Sequence, residues 1–384
     1  MKADRDAVPT IQGTPGSFAG SVLEQRHPAI LQQVRASHPY PAEQLARLDA
    51  LVDVALFGVV EPPPPDAPDA DGRWPDRRAW AAWLEPHRGR SFFDVPFLVA
   101  ESWFYRLLLD AVAFVEPGPW RGVDPFAPMK VGELRALPTV PEPPDRLDRD
   151  ALLLASVWGN QADLGFQLVA GEGARTPGEH ALVVDDTSRF WALLDRGGLV
   201  VAWVCDNAGR ELVADLLLVD RLLADGLASS VTLHLKPVPF FVSDATVRDL
   251  VDCLSAVERA GAPDSAARLR SAAGTGRLVV AAEAFWCAPL ELRDRPAGLD
   301  ARLADADLVV VKGDLNYRKL VGDAEWAPQT PFDDVVQLPG PVAALRVLKS
   351  DVLVGVDEAT VAALDAAAAG WRSDGTRALV QVTG

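Results

Sequence analysis

Apolar positions along the chain change their period near residue 150. Before it they recur at helical spacing: in PAEQLARLDALVDVALFG, residues 41–58, Leu45, Leu48, Leu51, Val52 and Ala55 fall on one face. In SFFDVPFLVAESWFYRLLLDAVAFV, residues 91–115, Phe97, Glu101, Phe104, Tyr105 and Leu108 do the same. The proline-rich stretches EPPPPDAPDADG (61–72) and LPTVPEPPDRLD (137–148) cannot continue a helix and read as surface connections. After residue 150 the pattern becomes short apolar runs rich in β-branched residues: 199–205, 231–235, 277–283, 307–311, 343–348 and 377–382. Amphipathic stretches such as 211–224 and 246–260 separate several of them. That alternation predicts a mainly parallel sheet covered by helices on both faces. The expected architecture is α/β: a three-layer α/β/α, Rossmann-like domain over 151–384, a helical N-terminal domain over 21–150, and a loosely attached Gly- and Pro-punctuated segment at 1–20. No internal repeat is visible.

Composition narrows the function. Of 384 residues, 49% are hydrophobic and 24% charged, so a large core is available. The net charge of −17 argues against a surface built for nucleic acid or anionic lipid, though not against one local basic pocket. Cys205, Cys253 and Cys287 are odd in number and widely spaced, which fits buried thiols in a reducing compartment. The N-terminus MKADRDAVPTIQGTPG lacks the apolar core of a secretory signal, and no run of about 20 apolar residues occurs. A soluble cytoplasmic protein is expected.

Chemistry is expected where strands run into helices, since open α/β sheets bind ligands beyond the carboxyl ends of their strands. Three such ends carry polar residues: Asp206–Asn207, Ser243–Asp244, and Lys312–Gly313–Asp314 with Asn316 and Arg318 following. Each has a plainer reading, because Asp, Asn and Ser are favoured helix N-caps. A cation at a helix start opposes the macrodipole, however, which favours a bound anion near Lys312 and Arg318. Together, Asp206, Asn207 and Asp244 offer only oxygen ligands, suited to Mg²⁺ or Mn²⁺ with room for water and a phosphate. Lys312 and Arg318 would hold that phosphate. Other motifs are weak. AAGTGR at 272–277 reads as a helix C-terminal turn, no GxxxxGK[ST] or GxSxG sequence occurs, and the histidines show no ligand spacing.

The motifs DNAGRE (206–211), FVSD (241–244) and KGDLNYR (312–318) resemble the damage-control phosphatase family, in its acidic-residue-methyltransferase-like branch. VPFLVAESWFYRLLL (95–109) and SVWGNQADL (156–164) are similar too, so the likeness runs in order from about residue 91 onwards. It implies metal-dependent hydrolysis of phosphometabolites, typically sugar phosphates such as fructose 1-phosphate, with Mn²⁺, Co²⁺, Ni²⁺ or Mg²⁺. Carried over residue by residue, it implies Asp206, Asn207 and Asp244 as metal ligands and catalytic groups. Asp206 and Asn207 would also touch substrate, with Asp314, Leu315, Asn316, Tyr317 and Arg318. Lys312, Arg318 and Lys349 would neutralise the phosphate, and Glu101 and Asn160 would meet sugar hydroxyls. Glu211, with Asp244, falls where the branch associates S-adenosylmethionine with a disputed methyltransferase role.

One departure concerns the Arg-Thr-x-Lys motif of that branch. It reads Arg346-Val347-Leu348-Lys349 here, and valine cannot supply the threonine hydroxyl's hydrogen bond. Two other readings stand beside the phosphatase. A protein carboxyl methyltransferase lacks its expected Gly-rich loop after the first strand of the α/β part, and a binding protein has no need of clustered carboxylates.

Overall fold

The protein, a computed structural model, is described over residues 2–64, 76–137, 146–159 and 181–384. Seven strands form one sheet: β1 (Ala181–Asp185), β2 (Leu199–Val204), β3 (Ala228–His234), β4 (Leu278–Ala281), β5 (Leu308–Lys312), β6 (Val342–Val347) and β7 (Arg377–Val382). Their order is β1-β7-β6-β5-β2-β3-β4, and every pairing is parallel except β6 with β7. The expected α/β class with a mainly parallel sheet is what forms. The six strand-like runs of the sequence correspond to β2–β7. β1 was not expected: ALVVD gives only four apolar residues before an acid, too little period for a signal.

Alternate residues of β2 face opposite layers, as the pleat requires. Val201 and Trp203 enter one apolar core with helices Arg149–Trp158, Arg210–Ala224 and Val247–Arg259. Ala202 and Val204 enter another, with helices Ala297–Ala304 and Asp314–Val321. The helices after β2 and β3 therefore cover one face, and the helix after β5 covers the other. β5 and β2 are neighbours, so the crevice at their carboxyl ends is a topological switch point, where an open sheet leaves room for a ligand.

The N-terminal helices Ala42–Phe57 and Phe97–Ala111 build a third core with Phe92, Phe104 and Phe126, which reaches Phe240 and Cys287 of the α/β part. Residues 2–20, expected to be loosely attached, are fastened instead. Arg5 is buried and donates to Glu291 at 2.5 and 3.0 Å, the Ala3 amide bonds the Asp334 carbonyl, and Thr10 bridges Ala324. Gly and Pro content alone did not reveal that anchoring, because the partners lie about 300 residues away along the chain. Cys205, Cys253 and Cys287 are buried free thiols, as their spacing implied. No helix among the described residues is long and apolar enough to cross a membrane.

Candidate functional site

Four adjacent strands, β6, β5, β2 and β3, send their carboxyl ends to one edge. β2 ends in Asp206–Asn207, and the segment after β3 returns as Phe241-Val242-Ser243-Asp244. The two segments pair: Asn207 bridges Asp244, the Ala208 amide donates to the Ser243 carbonyl at 2.7 Å, and Ala245 donates to that of Asp206 at 2.7 Å. Thus the sequence-distant Asp206, Asn207 and Asp244 do meet, all buried. Phe241 and Val242 hold φ of 43° and 66°, a left-handed conformation that costs a β-branched residue about 1–3 kcal/mol. The turn at Val242 brings Ser243 Oγ to Asn207 Oδ1 at 2.5 Å.

Negative charge collects here. Asn207 Nδ2 donates to Asp206 Oδ2 at 2.7 Å and to Glu211 Oε2 at 2.9 Å. Burial, reinforced by the charges of Glu211 and Asp244, pushes the Asp206 carboxyl well above the usual carboxylate range, against Lys236 and Lys349. Burial likewise raises Asp244, against Lys236 and Lys130. Asp244 Oδ2 is buried and, among the described residues, accepts no hydrogen bond. Lys236 Nζ stands at 3.3 Å from it but outside hydrogen-bond alignment. Gly313 packs directly against this group, since a Cβ there would lie 1.9 Å from Asp206 Oδ2.

Several expected substrate residues are used otherwise. Lys312 is fully buried: its ammonium pairs with Asp215 Oδ1 at 3.0 Å and Glu211 Oε1 at 3.4 Å, and donates to Ser156. Burial lifts Asp215 to about 6, although Lys312 pulls it down. Arg318 gives a two-pronged contact to Asp323, 2.8 Å each, and a third bond to Glu101 Oε2 at 2.6 Å. Both Arg318 and Glu101 are thereby committed to a buried ion pair linking the helical part to the helix after β5. The Tyr317 hydroxyl donates to Gln381 at 2.8 Å, and Leu315 is packed in the interior. Asn316 donates to the carbonyls of Cys205 and Lys312 and accepts from Lys236. Asp314 accepts from Arg346 Nε at 2.8 Å and from the Lys349 amide at 3.0 Å; burial raises this carboxyl, but Arg346 and Arg318 outweigh it and hold it low. Asn160 lies outside the described residues.

Lys349 is different. It follows β6, is half-buried, and among the described residues its ammonium has no ion-pair partner. Its charge reaches Asp206. Beside it, the helix Asp314–Val321 starts at the edge with first-turn amides that no helical carbonyl satisfies. The sequence reading missed Lys236, Ser243 as a partner of Asn207, and the Ser156–Lys312–Asp215 cluster. Lys236 alone had a signal, a cation directly after the strand VTLHL.

Buried acidic groups thus gather at the switch point of an α/β sheet, with Lys349 unpaired nearby among the described residues. The family comparison makes the class definite: residues 22–364 match the damage-control phosphatase ARMT1-like domain, and the chain belongs to that family. It is 29% identical over 355 residues to damage-control phosphatase ARMT1 of Danio rerio, covering 80% of this chain and 79% of that protein. The Homo sapiens protein of the same name is 28% identical over 358 residues, covering 80% and 81%. A DUF89 family protein from Pyrococcus horikoshii aligns over 93% of this chain and 97% of its own at TM-score 0.48 and 14% identity. Family membership supports a phosphatase role.

Proposed function

We propose that the protein is a metal-dependent phosphatase of small phosphometabolites, with sugar phosphates such as fructose 1-phosphate as its substrate class. The observation that carries this reading is the convergence of Asp206, Asn207 and Asp244 in one buried cluster, with Asp244 Oδ2 left without a hydrogen-bond donor among the described residues. Burial and like charge raise both carboxyls despite the nearby lysines, and a divalent cation removes that penalty. The donor set fits such an ion. Among the described residues no three His, Cys, Asp or Glu side chains gather into a metal cage, but two carboxylates and an amide suit Mn²⁺ or Mg²⁺, which retain waters. Asn207 Oδ1 has a second lone pair beyond its bond to Ser243. Asp206, Asn207 and Asp244 would hold the cation; once bound, it supplies Lewis acidity and lowers the pKa of a water.

The chain's own groups account for the rest. Lys349 neutralises the phosphate at the rim, and the first-turn amides of helix Asp314–Val321 donate to its oxygens. Asp206, wedged against Gly313 and within reach of the Lys349 charge, serves as general base or nucleophile. A methyl-donor role for Glu211 would compete with the bonds its two oxygens already make to Asn207 and Lys312.

A screen of sugar phosphates and p-nitrophenyl phosphate with Mn²⁺, Co²⁺, Ni²⁺, Mg²⁺ or chelator tests the proposal. Turnover is expected only with a cation and is expected to vanish in Asp206→Ala. Cation-independent turnover, or methyl transfer from S-adenosylmethionine without phosphate release, would refute it. Acid-quench trapping of a phosphoryl-enzyme separates the nucleophile from the base.

A further inference from the structure

Lys236 has no place in the reading so far, yet it is among the most enclosed charges in the molecule. Its side chain is 1% exposed, and its ammonium lies between Asp244 Oδ2 at 3.3 Å and Asn316 Oδ1 at 3.1 Å. Asn316 in turn donates to the Cys205 carbonyl at 3.0 Å and the Lys312 carbonyl at 2.9 Å, which hold the carboxyl ends of β2 and β5 together directly before Asp206 and Gly313. The Lys236 backbone joins the same frame, its amide donating to the Ala245 carbonyl at 2.9 Å. A single chain of contacts therefore runs from Asp244 through Lys236 and Asn316 to the base of Asp206.

We propose that Lys236, held by Asn316, is the positioning residue for Asp244: its ammonium beside Oδ2 fixes the carboxylate's place and sets the distance between the β2 and β3 ends. This inference rests on the metal-dependent reading and assigns that site its supporting layer. A compact ammonium suits the task, because it can donate to an amide oxygen and stand as a point charge beside a carboxylate without presenting a fork that would engage both carboxylate oxygens. Outer partners of ligating carboxylates typically govern metal affinity by 10–100-fold, since they fix the ligand's orientation before the ion arrives. Lys312, equally buried, lacks this role because its contacts are to Asp215, Glu211 and Ser156 and not to Asp244.

The test is calorimetric titration of the full-length protein with Mn²⁺, comparing wild type, Lys236→Met and Lys236→Gln, with circular dichroism to establish folding. Met keeps the length and removes charge and donors; Gln keeps a donor. The expected result is Mn²⁺ affinity about 10–100-fold weaker in K236M, with part of the loss recovered in K236Q. Should K236M fail to fold, K236Q alone still bears the comparison. A folded K236M or K236Q that binds Mn²⁺ as tightly as wild type overturns the inference and leaves the metal site standing. A wild-type protein that binds no Mn²⁺ overturns the phosphatase reading itself, and this inference with it.

Discussion

Asp206 and Gly313 compete for the same space. The carboxylate lies where a Cβ of residue 313 would be, and Gly313 holds φ of 80°, open to glycine and strained for other residues. Gly313→Ala is therefore expected to destabilise the fold by about 1–3 kcal/mol from backbone strain alone. It should also displace Asp206, so that Mn²⁺ affinity falls by more than stability does. Denaturant titration and calorimetry on the same sample check both; unchanged affinity would show that Asp206 is free to shift. The acidic residues were legible at this scale because strand-end acids and amides are few and their order is distinctive. The roles of Lys312, Arg318 and Glu101 were not, because charge in a sequence does not say which opposite charge it will meet.

Lys312 shows what a buried ion pair does between elements. It joins helix Arg149–Trp158 through Ser156, β5 through its own backbone, and helix Arg210–Ala224 through Glu211 and Asp215. Lys312→Met would leave two enclosed carboxyls without their cation, a loss of about 3–5 kcal/mol. Adding Asp215→Asn should recover part of that loss, since one uncompensated carboxylate is removed. A double-mutant cycle by urea unfolding measures the coupling, and strict additivity of the two changes would contradict the pairing. The strands themselves were readable from apolar, β-branched runs. β1 and the pairing of residues 206–208 with 243–245 were not, since both depend on partners distant in sequence.

Across the whole molecule, the helical part and the α/β part meet through aromatic packing. Tyr105 stacks on Phe241 at 4.6 Å between ring centroids; within the helical part, His27 stacks on Phe104 at 3.7 Å. Both His27 ring nitrogens are buried without a hydrogen-bond partner among the described residues, and burial, helped by Arg26, depresses its pKa to about 3. The folded pKa lies below the unfolded one, so the unfolded chain binds the proton first and stability falls as pH drops from about 6.5 towards 3. His27→Phe removes that linkage. Between pH 7 and pH 4 the stability of His27→Phe relative to wild type should rise by about 3 kcal/mol, read from denaturant unfolding at both pH values. An unchanged difference would place the titration elsewhere.

The sequence alone determined the α/β class, six of the seven strands and the strand ends that carry acids. Those properties follow from local periodicity and from short motifs. Only the tertiary structure decided which charges face one another: it enclosed Lys312 and Arg318 in ion pairs, left Lys349 unpaired among the described residues, placed Lys236 against Asp244, and fastened residues 3–11 to the α/β part. The physical reason is that burial and charge pairing depend on distances between residues far apart in the chain. Apolar spacing records which face of an element is inside, but not which partner waits there.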